Sequence, residues 1–211
     1  MIDYRVYLVT DDPSRYPIDW LESIAAAIEG GVTCVQYRDT ENSPELQYRR
    51  IRRLQDLLKA RHVPLVVNNN AELAAAVKAE GIHVGQSDQP PHEVRSIVGP
   101  NCEIGLSITD LNQVTPMLSL RQRGLVDLIG IGPVYDATKT KADAAKEMGL
   151  DGLAAIVEAT PDVSNVAIGG ITAARAPDIL AAGARGLAIV SAISQAPDPY
   201  RAAMSFSSLF A

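Results

Sequence analysis

Gln36 and Arg38 are the first residues of this chain whose types and spacing suggest chemistry. In "VQYRD" they alternate with Tyr37, so in a β-strand their two side chains lie on one face. Burying an arginine side chain in the interior of a protein costs free energy unless its charge is paired with an anion. The pattern predicts that Arg38 binds an anionic ligand, and an ion pair with an acid such as Asp88 is the alternative.

Oxygen ligands suited to Mg²⁺ stand after two other apolar runs. The run in "VPLVVNNNAELAAAV" stops at Asn68, Asn69 and Asn70, and "GIHVGQSD" leads to Asp88. Mg²⁺ is bound by few carboxylates together with substrate phosphates, which makes Asp88 a candidate ligand. A turn or helix-cap role is the alternative for Asp88. Asn68 also fits a hydrogen-bonding role at a strand end, and Asn70 fits the N-cap of the following helix.

Two segments near the C-terminus predict a phosphate site made of backbone amides. "VAIGGIT" places Gly169 and Gly170 before a helix-like segment, and "GLAIVSAIS" places Ser191 and Ala192 at the end of the next apolar run. Exposed N–H groups in such positions attract an anion without a basic side chain. A tight turn with no ligand is the alternative.

A long polar segment, "GIGPVYDATKTKADAAKEMG", groups Thr138, Thr140 and Lys141. Two hydroxyls and an ammonium can bind a diphosphate. The length favours a binding loop over a simple connector, and a solvated surface loop is the alternative.

The remaining reactive residue types predict structural roles. His83 lies in mid-strand and is expected to pack in the wall of the fold without a catalytic role. His62 and His92 have polar surroundings typical of a surface, and Cys34 and Cys102 lie in apolar runs expected to hold buried free thiols.

Eight short apolar runs alternate with amphipathic segments along the chain. Nearly continuous apolar runs are typical of parallel strands covered on both faces. Eight β-then-α units predict a single (β/α)8 TIM barrel over residues 1–211, with functional residues at the carboxyl ends of the strands. A doubly wound sheet is the competitor, but "VTDDPSRYP" after the first run has no glycine-rich turn. The runs are 6–10, 33–38, 63–68, 81–85, 103–108, 127–132, 165–169 and 186–192.

The bulk composition excludes some function classes. The 211 residues are 47% hydrophobic and 21% charged, with a net charge of -6. A general nucleic-acid binder needs clustered Lys and Arg, so nucleic acid is not an expected partner. The first residues, "MIDYRVYLVTDD", resemble neither a signal peptide nor a membrane span, so we expect a cytoplasmic protein without membrane contact.

Taken in order, the segments resemble the thiamine-phosphate synthase family along nearly the whole chain. The resemblance implies a (β/α)8 barrel that joins hydroxymethylpyrimidine diphosphate to a thiazole phosphate, releases diphosphate and uses Mg²⁺. It is carried by "YLVTD", "GGVTCVQYRD", "VNNNAELA", "GIHVGQSD", "GLSITD", "GIGPVYDATKTK", "VAIGGIT" and "GLAIVSAIS".

The resemblance also implies roles for individual residues. Gln36 and Arg38 would hold the diphosphate, with Asn68 and Asp88 beside the diphosphate and the metal. Ser107 would lie near the pyrimidine, and Ser107 and Lys141 are the candidate catalytic residues. Asn69 and Asp88 are the candidate metal ligands. The full set of candidate substrate-binding residues is Gln36, Arg38, Asn68, Ser107, Thr138, Thr140, Lys141, Gly169, Gly170, Ser191 and Ala192.

The chain departs from the family at two positions of the expected site. The family usually has Asp where this chain has Asn69 and Lys where it has Thr40, and the segment before Thr138 is one residue longer. An amide oxygen can ligate Mg²⁺ but brings no charge. The losses of one acid and one cation partly cancel, which predicts a weaker or changed site.

Two alternative functions therefore stay open, together with a possible homo-oligomer. One is a thiazole tautomerase-like barrel enzyme, although that relative has a His where this chain has Thr109. The other is a non-catalytic binder of thiamine phosphate or its precursors, favoured by Asn69 and Thr40.

Overall fold

A closed barrel of eight parallel strands forms the centre of the protein. The structure is a computed structural model that describes residues 1–138 and 145–211. The strands pair in chain order from β1 to β8, and β8 closes the barrel against β1. They are β1 (Val6–Val9), β2 (Cys34–Tyr37), β3 (Leu65–Asn68), β4 (Gly81–Val84), β5 (Glu103–Ile108), β6 (Leu128–Ile131), β7 (Ser164–Ile168) and β8 (Leu187–Ile189).

Helices follow the strands and cover the outside of the barrel. Within the described part of the chain they are α1 (Trp20–Glu29), α2 (Pro44–Lys59), α3 (Ala71–Val77), α4 (Pro91–Val98), α5 (Val114–Gln122), α6 (Gly149–Ala159), α7 (Ala176–Ala181), α8 (Ser191–Ser194) and α9 (Pro199–Ser207). Short 3-10 turns lie at Pro13–Arg15, Leu111–Gln113 and Ser208–Phe210.

The starts of α2 and α3 are fixed by side-chain caps. Ser43 Oγ accepts a hydrogen bond from the N–H of Leu46 at 3.4 Å, and Pro44 occupies the first helical position. Asn70 Oδ1 accepts from the N–H of Leu73 at 2.8 Å, which confirms Asn70 as the cap of α3. The helix that leaves the end of β3 is thus fixed by its own first residues.

The strands separate two apolar regions. Side chains that point inward, including Tyr7, Val9 and Val66, pack along the barrel axis, and Tyr4 meets Tyr7 edge to face with ring centroids 5.2 Å apart. The alternate strand residues, such as Leu8 and Val35, pack outward against the helices in the larger cluster. Strands buried on both faces explain the nearly continuous apolar runs of the sequence.

Polar contacts tie together the amino ends of the strands. Glu103 accepts from the N–H of Ile2 at 2.8 Å and from the hydroxyl of Tyr4 at 3.2 Å. Arg95 on α4 donates to the carbonyl of Cys102 at 2.6 Å and to the carboxylate of Asp127 at 3.0 Å. These contacts hold the amino-end face and leave the carboxyl ends to form the functional face.

The predicted (β/α)8 barrel is confirmed. β5 and β7 are as long as their apolar runs, and the other strands are one to four residues shorter. β2 ends at Tyr37 and β8 ends at Ile189, so Arg38 and Ser191 lie just past their strands. Both cysteines are free and buried, as predicted. No helix among the described residues is long and apolar enough to cross a membrane.

Candidate active site

The candidate residues of the second to fifth units lie at the carboxyl ends of adjacent strands. Gln36, Asn68 and Ser107 belong to β2, β3 and β5, and Asp88 follows β4. Because the parallel strands pair in order, these ends surround one mouth of the barrel. The mouth is the face at which barrels of this kind carry their chemistry.

Gln36 points into the barrel, as its alternation with Tyr37 predicted. It is 5% exposed, and its Nε2 donates to the Tyr7 hydroxyl at 2.6 Å. Its Oε1 remains free to accept a hydrogen bond, because no bond from that oxygen joins it to the described residues. Arg38 lies one residue past the strand, and its backbone N–H donates to Thr10 Oγ1 at 2.9 Å.

His83 lies in the middle of β4, as predicted, but its ring turns into the barrel instead of packing within the wall. Its Nε2 is 2.9 Å from Ser107 Oγ, and its Nδ1 is buried without a hydrogen-bond partner in the described chain. Burial lowers the pKa of His83 to about 4, against a weaker opposing effect of Asp88. The imidazole is therefore neutral near pH 7, and when Nε2 carries the proton the Ser107 hydroxyl can donate to a ligand.

Two glycines, one on β5 and one on β6, make room for this imidazole. A Cβ on Gly105 would collide with Nδ1 of His83, and a Cβ on Gly130 would lie 2.8 Å from its Cε1. The His83–Ser107 pair is a feature that was not predicted from the sequence. Glycines inside two neighbouring strands were the available signal, because such glycines mark the close approach of another group.

A side-chain hydrogen bond links Asn69 to Asp88. Asn69 Nδ2 lies 3.1 Å from Asp88 Oδ1, and the N–H of Gly85 donates to Asp88 Oδ2 at 2.7 Å. Asn69 has a positive φ of 49°, a left-handed conformation that asparagine tolerates better than most residues. Asp88 thus has the predicted alternative role in its own turn as well as a place at the mouth.

The fit of this pair to Mg²⁺ is partial. Among the described residues, no three His, Cys, Asp or Glu side chains come together in an arrangement that could hold a metal ion. One carboxylate and one amide oxygen fit a Mg²⁺ ion that takes its other ligands from substrate phosphates and water. Asn69 would have to present its oxygen and not its nitrogen to the ion, which requires a flip of the amide.

The amides expected to bind phosphate lie at the ends of β7 and β8, which are neighbours. The N–H groups of Gly169, Gly170, Ser191 and Ala192 donate to no described residue. Gly169 and Gly170 have φ values of 102° and 61°, conformations that favour glycine. We call these four residues the amide cradle.

The segment after β6 rests on the two glycines of the cradle. The N–H of Tyr135 donates to the carbonyl of Gly169 at 3.1 Å, and a Cβ on Gly170 would lie 2.7 Å from Cβ of Tyr135. Thr138 is exposed, and its N–H donates to Asp136 Oδ1 at 3.0 Å. The other two candidates of this segment, Thr140 and Lys141, lie outside the described residues.

The other predicted roles agree with the structure. His62 and His92 are exposed. Thr109, where a tautomerase-like enzyme would carry a His, is occupied by local bonds, since its N–H donates to Gln113 Oε1 at 2.8 Å. The geometry thus gives a polar mouth with hydrogen-bond donors, with the Asp88 carboxylate beside Asn69 and with a His83 imidazole of lowered pKa.

Comparison with known proteins places the chain in a family. The family model described as thiamine monophosphate synthase matches residues 6–193. The chain belongs to this family. It is accordingly a transferase of thiamine biosynthesis.

Individual members of the thiamine monophosphate synthase family match over nearly their full length. The thiamine-phosphate synthase of Vibrio campbellii is 42% identical over 93% of this chain and 93% of its own. The thiamine-phosphate synthase of Azorhizobium caulinodans is 40% identical over 98% of this chain and 95% of its own. Among solved structures, thiamine phosphate pyrophosphorylase from Pyrococcus furiosus has a TM-score of 0.83 and 30% identity, covering 98% of this chain and 95% of its own.

Proposed function

We propose that the protein joins hydroxymethylpyrimidine diphosphate to a thiazole phosphate, giving thiamine phosphate and free diphosphate. The observation that carries the proposal is the pairing of two polar side chains at the mouth, Gln36 and Ser107, with the amide cradle at the ends of β7 and β8. The two side chains offer hydrogen bonds to a heteroaromatic ring, and the cradle offers them to a phosphate. Membership of the family supports this pair of substrates.

The reaction requires little acid or base catalysis from the protein. The bond between the pyrimidine methylene carbon and the diphosphate oxygen breaks, and its electron pair leaves with the diphosphate. The thiazole nitrogen then forms the new C–N bond with its lone pair and becomes the positively charged thiazolium nitrogen. Stabilising the leaving group and positioning the two rings are the main contributions of such a site.

The described residues fit these tasks. Ser107, held by the neutral His83, donates to or accepts from the pyrimidine, and Gln36 offers its free amide oxygen. We assign Arg38, Asn68 and Thr138 to the binding of the diphosphate, which the position of Arg38 and Asn68 at the carboxyl ends of β2 and β3 supports. We assign Thr140 to the same group and a catalytic role to Lys141, on the resemblance of their motif to that of the family.

Mg²⁺ would be held by Asp88, by Asn69 after an amide flip and by the diphosphate itself. When bound, it would neutralise charge that develops on the leaving diphosphate. The protein's part is to keep the Asp88 carboxylate in place through the N–H of Gly85. The absence of a second carboxylate at position 69 makes the ion depend more on substrate phosphate for its binding.

We further propose that residues 1–211 form one domain that acts in the cytoplasm on small molecules, with a homo-oligomer as a possible assembly. The composition and the acidic net charge of -6 support a protein without nucleic-acid or membrane partners.

The test is incubation of the protein with both substrates and Mg²⁺, followed by detection of thiamine phosphate and diphosphate in equal amounts. Binding of each substrate is measured separately by calorimetry. Binding without product would instead support the non-catalytic binder. If the protein neither binds the substrates nor forms product, both functions are refuted.

A variant of Arg38 sharpens this test. Arg38→Ala should weaken binding of the pyrimidine diphosphate at least tenfold, because a charge-assisted bond to an anion is lost, while the melting temperature changes little. Arg49→Ala is the matched control, since Arg49 is an exposed arginine on α2. A melting temperature that falls sharply in Arg38→Ala, with normal substrate binding, would show a structural ion pair instead.

A further inference from the structure

Arg175 is an exposed arginine tethered beside the amide cradle. Its Nη1 donates to the carbonyl oxygen of Gly170 at 2.8 Å, and its guanidinium carbon lies 4.2 Å from the centre of the Tyr135 ring. The first contact joins it to the segment after β7, and the second joins it to the segment after β6. A flexible surface side chain is thus held at one place by two interactions.

Most of the hydrogen-bonding capacity of this guanidinium is unused. Of the five N–H donors of an arginine, only one donates to a residue within 1–138 or 145–211. Several other arginines of the protein are paired with carboxylates, among them Arg5 with Asp3, Arg50 with Asp39 and Arg95 with Asp127. Arg175 forms no such ion pair with a described acid.

Gly170 connects this cation to the proposed phosphate site. Its carbonyl holds Arg175, and its own N–H is one of the unpaired amides of the cradle. The guanidinium is therefore bonded to a residue of the cradle itself. The Tyr135 ring limits its movement, so less conformational entropy is lost when it binds an anion.

We infer that Arg175 is a specificity-determining residue that binds the phosphate group of the thiazole substrate from the side of the cradle. It adds a positive charge to a site otherwise made of neutral backbone N–H groups. Such a charge discriminates a phosphorylated thiazole from its uncharged alcohol. The inference rests on the proposed function for the identity of the substrate and on the contacts of Arg175 for the role of the residue.

The test compares steady-state kinetics of the wild-type protein, Arg175→Gln, Arg175→Lys and the control Arg123→Gln. Arg123 is exposed at the end of α5, on the amino-end side of the barrel and away from the mouth. Its variant changes the net charge by the same amount as Arg175→Gln. In Arg175→Gln the KM for the thiazole phosphate should rise about tenfold, the loss expected for one charge-assisted hydrogen bond. The kcat and the KM for the pyrimidine diphosphate should stay within about twofold, as uniform loss of binding requires.

Arg175→Lys should recover most of the affinity, because it keeps the charge. The difference between wild-type protein and Arg175→Gln should shrink as salt is raised, since an exposed charge is screened. An unchanged KM in Arg175→Gln would overturn the inference. So would an equal loss of kcat and of affinity for both substrates, which would show that Arg175 only holds the β6 segment in place.

A wild-type protein that makes no thiamine phosphate would refute the proposed function but would still leave the inference testable. Binding of inorganic phosphate is then measured by calorimetry in the wild-type protein and in Arg175→Gln. Weaker binding by the variant supports an anion site that includes Arg175. Equal binding, or none in the wild-type protein, overturns the inference.

Discussion

The side chain of Asn69 is a neutral amide beside the Asp88 carboxylate. An acid at this position would need a shared cation to offset the repulsion between two carboxylates. Its nitrogen lies 3.1 Å from one carboxylate oxygen, a distance at which two carboxylates repel each other strongly. The hydrogen bond therefore keeps Asp88 in place without a metal ion. We expect the strand-end geometry to persist in the absence of Mg²⁺.

Asn69→Asp should make this part of the mouth depend on Mg²⁺. Without the ion, repulsion between the two carboxylates should lower the free energy of unfolding by about 1–4 kcal/mol, depending on the effective dielectric constant. With Mg²⁺, thermal melting should show a recovery larger than any Mg²⁺ effect on the wild-type protein. Initial rates at limiting Mg²⁺ should rise, and the gain should disappear at saturation.

Asn70→Asp is the matched control for that experiment. It adds the same charge one residue further along, and aspartate preserves the cap that Asn70 provides to α3. Identical Mg²⁺ dependence in the two variants would show that position 69 is outside the metal site. Adding Thr40→Lys to Asn69→Asp tests whether the new charge is balanced, since charges in one site are not additive.

The buried imidazole of His83 predicts a pH dependence of stability. Its pKa is lowered to about 4 in the folded protein, whereas an unfolded histidine titrates near 6.5. Between these values the unfolded chain binds more protons, so stability is lost as the pH falls from about 6.5 towards 4. Chemical denaturation at pH 7 and pH 5 should show a loss on the order of 1–2 kcal/mol from this residue alone.

His83→Gln isolates that contribution, because glutamine does not titrate and can still bond Ser107. The pH dependence of its unfolding free energy should be shallower than in the wild-type protein. His92→Gln, at an exposed histidine, is the matched control. Equal slopes in all three proteins would show that His83 is accessible to protons in the folded state.

Residue roles that depend on local sequence could be predicted, and those that depend on distant neighbours could not. The cap at Asn70 follows from its place before an apolar helix, and the structure confirms it. The inward turn of His83 depends on Gly105 and Gly130, which come from two other strands. The stacking of Arg175 on Tyr135 likewise joins segments separated by a helix and a strand.

At the scale of elements, Arg95 fixes α4 to the amino ends of β5 and β6. It bonds the carbonyls of Gly99 and Cys102, and the Asp127 carboxylate that it holds also accepts from the N–H of Ile104 at 2.9 Å. Removing the guanidinium leaves partly buried acceptors without a donor, and such a loss is costly.

Arg95→Met should lower the free energy of unfolding by about 2–4 kcal/mol, measured by urea denaturation. The kcat of the folded fraction should change little, because Arg95 acts at the end of the barrel opposite the mouth. Arg49→Met, which removes an exposed arginine from α2, should change stability by less than about 0.5 kcal/mol. If the two substitutions lower the free energy of unfolding by similar amounts, the Arg95 contacts make no net contribution to stability.

The elements themselves were the most predictable level of the structure. All eight apolar runs contain a strand, and each strand is followed by a helix in the described chain. The predicted ends were too long by up to three residues, as at β8, because apolar residues continue past the last ladder hydrogen bond. That difference puts Ser191 in a short helix and not in a strand.

At the scale of the whole molecule, stability depends on closing β8 against β1. The pairing joins Val6 with Leu187 and Leu8 with Ile189. Without it, β1 and β7 would each present an open edge, and such edges promote aggregation.

A chain that ends at residue 185 should therefore fail to fold. We expect no cooperative thermal transition by circular dichroism and elution as aggregate in size-exclusion chromatography. A chain that ends at Ser207 is the control, because it keeps β8 and the bond from Ser207 Oγ to the carbonyl of Gly30 at 2.9 Å. A cooperative transition in the shorter chain would show that seven strands suffice for a stable fold.

The same seam sets the order in which the protein can mature on the ribosome. β1 is translated about 180 residues before β8 and the last residues of the amide cradle. At about 5–20 residues per second, β1 waits on the order of ten seconds or longer for its partner strand. A nascent chain stalled before residue 187 already carries Arg38 and Asp88 but has no closed barrel to hold them, so the phosphate site is completed only after β8 has been made.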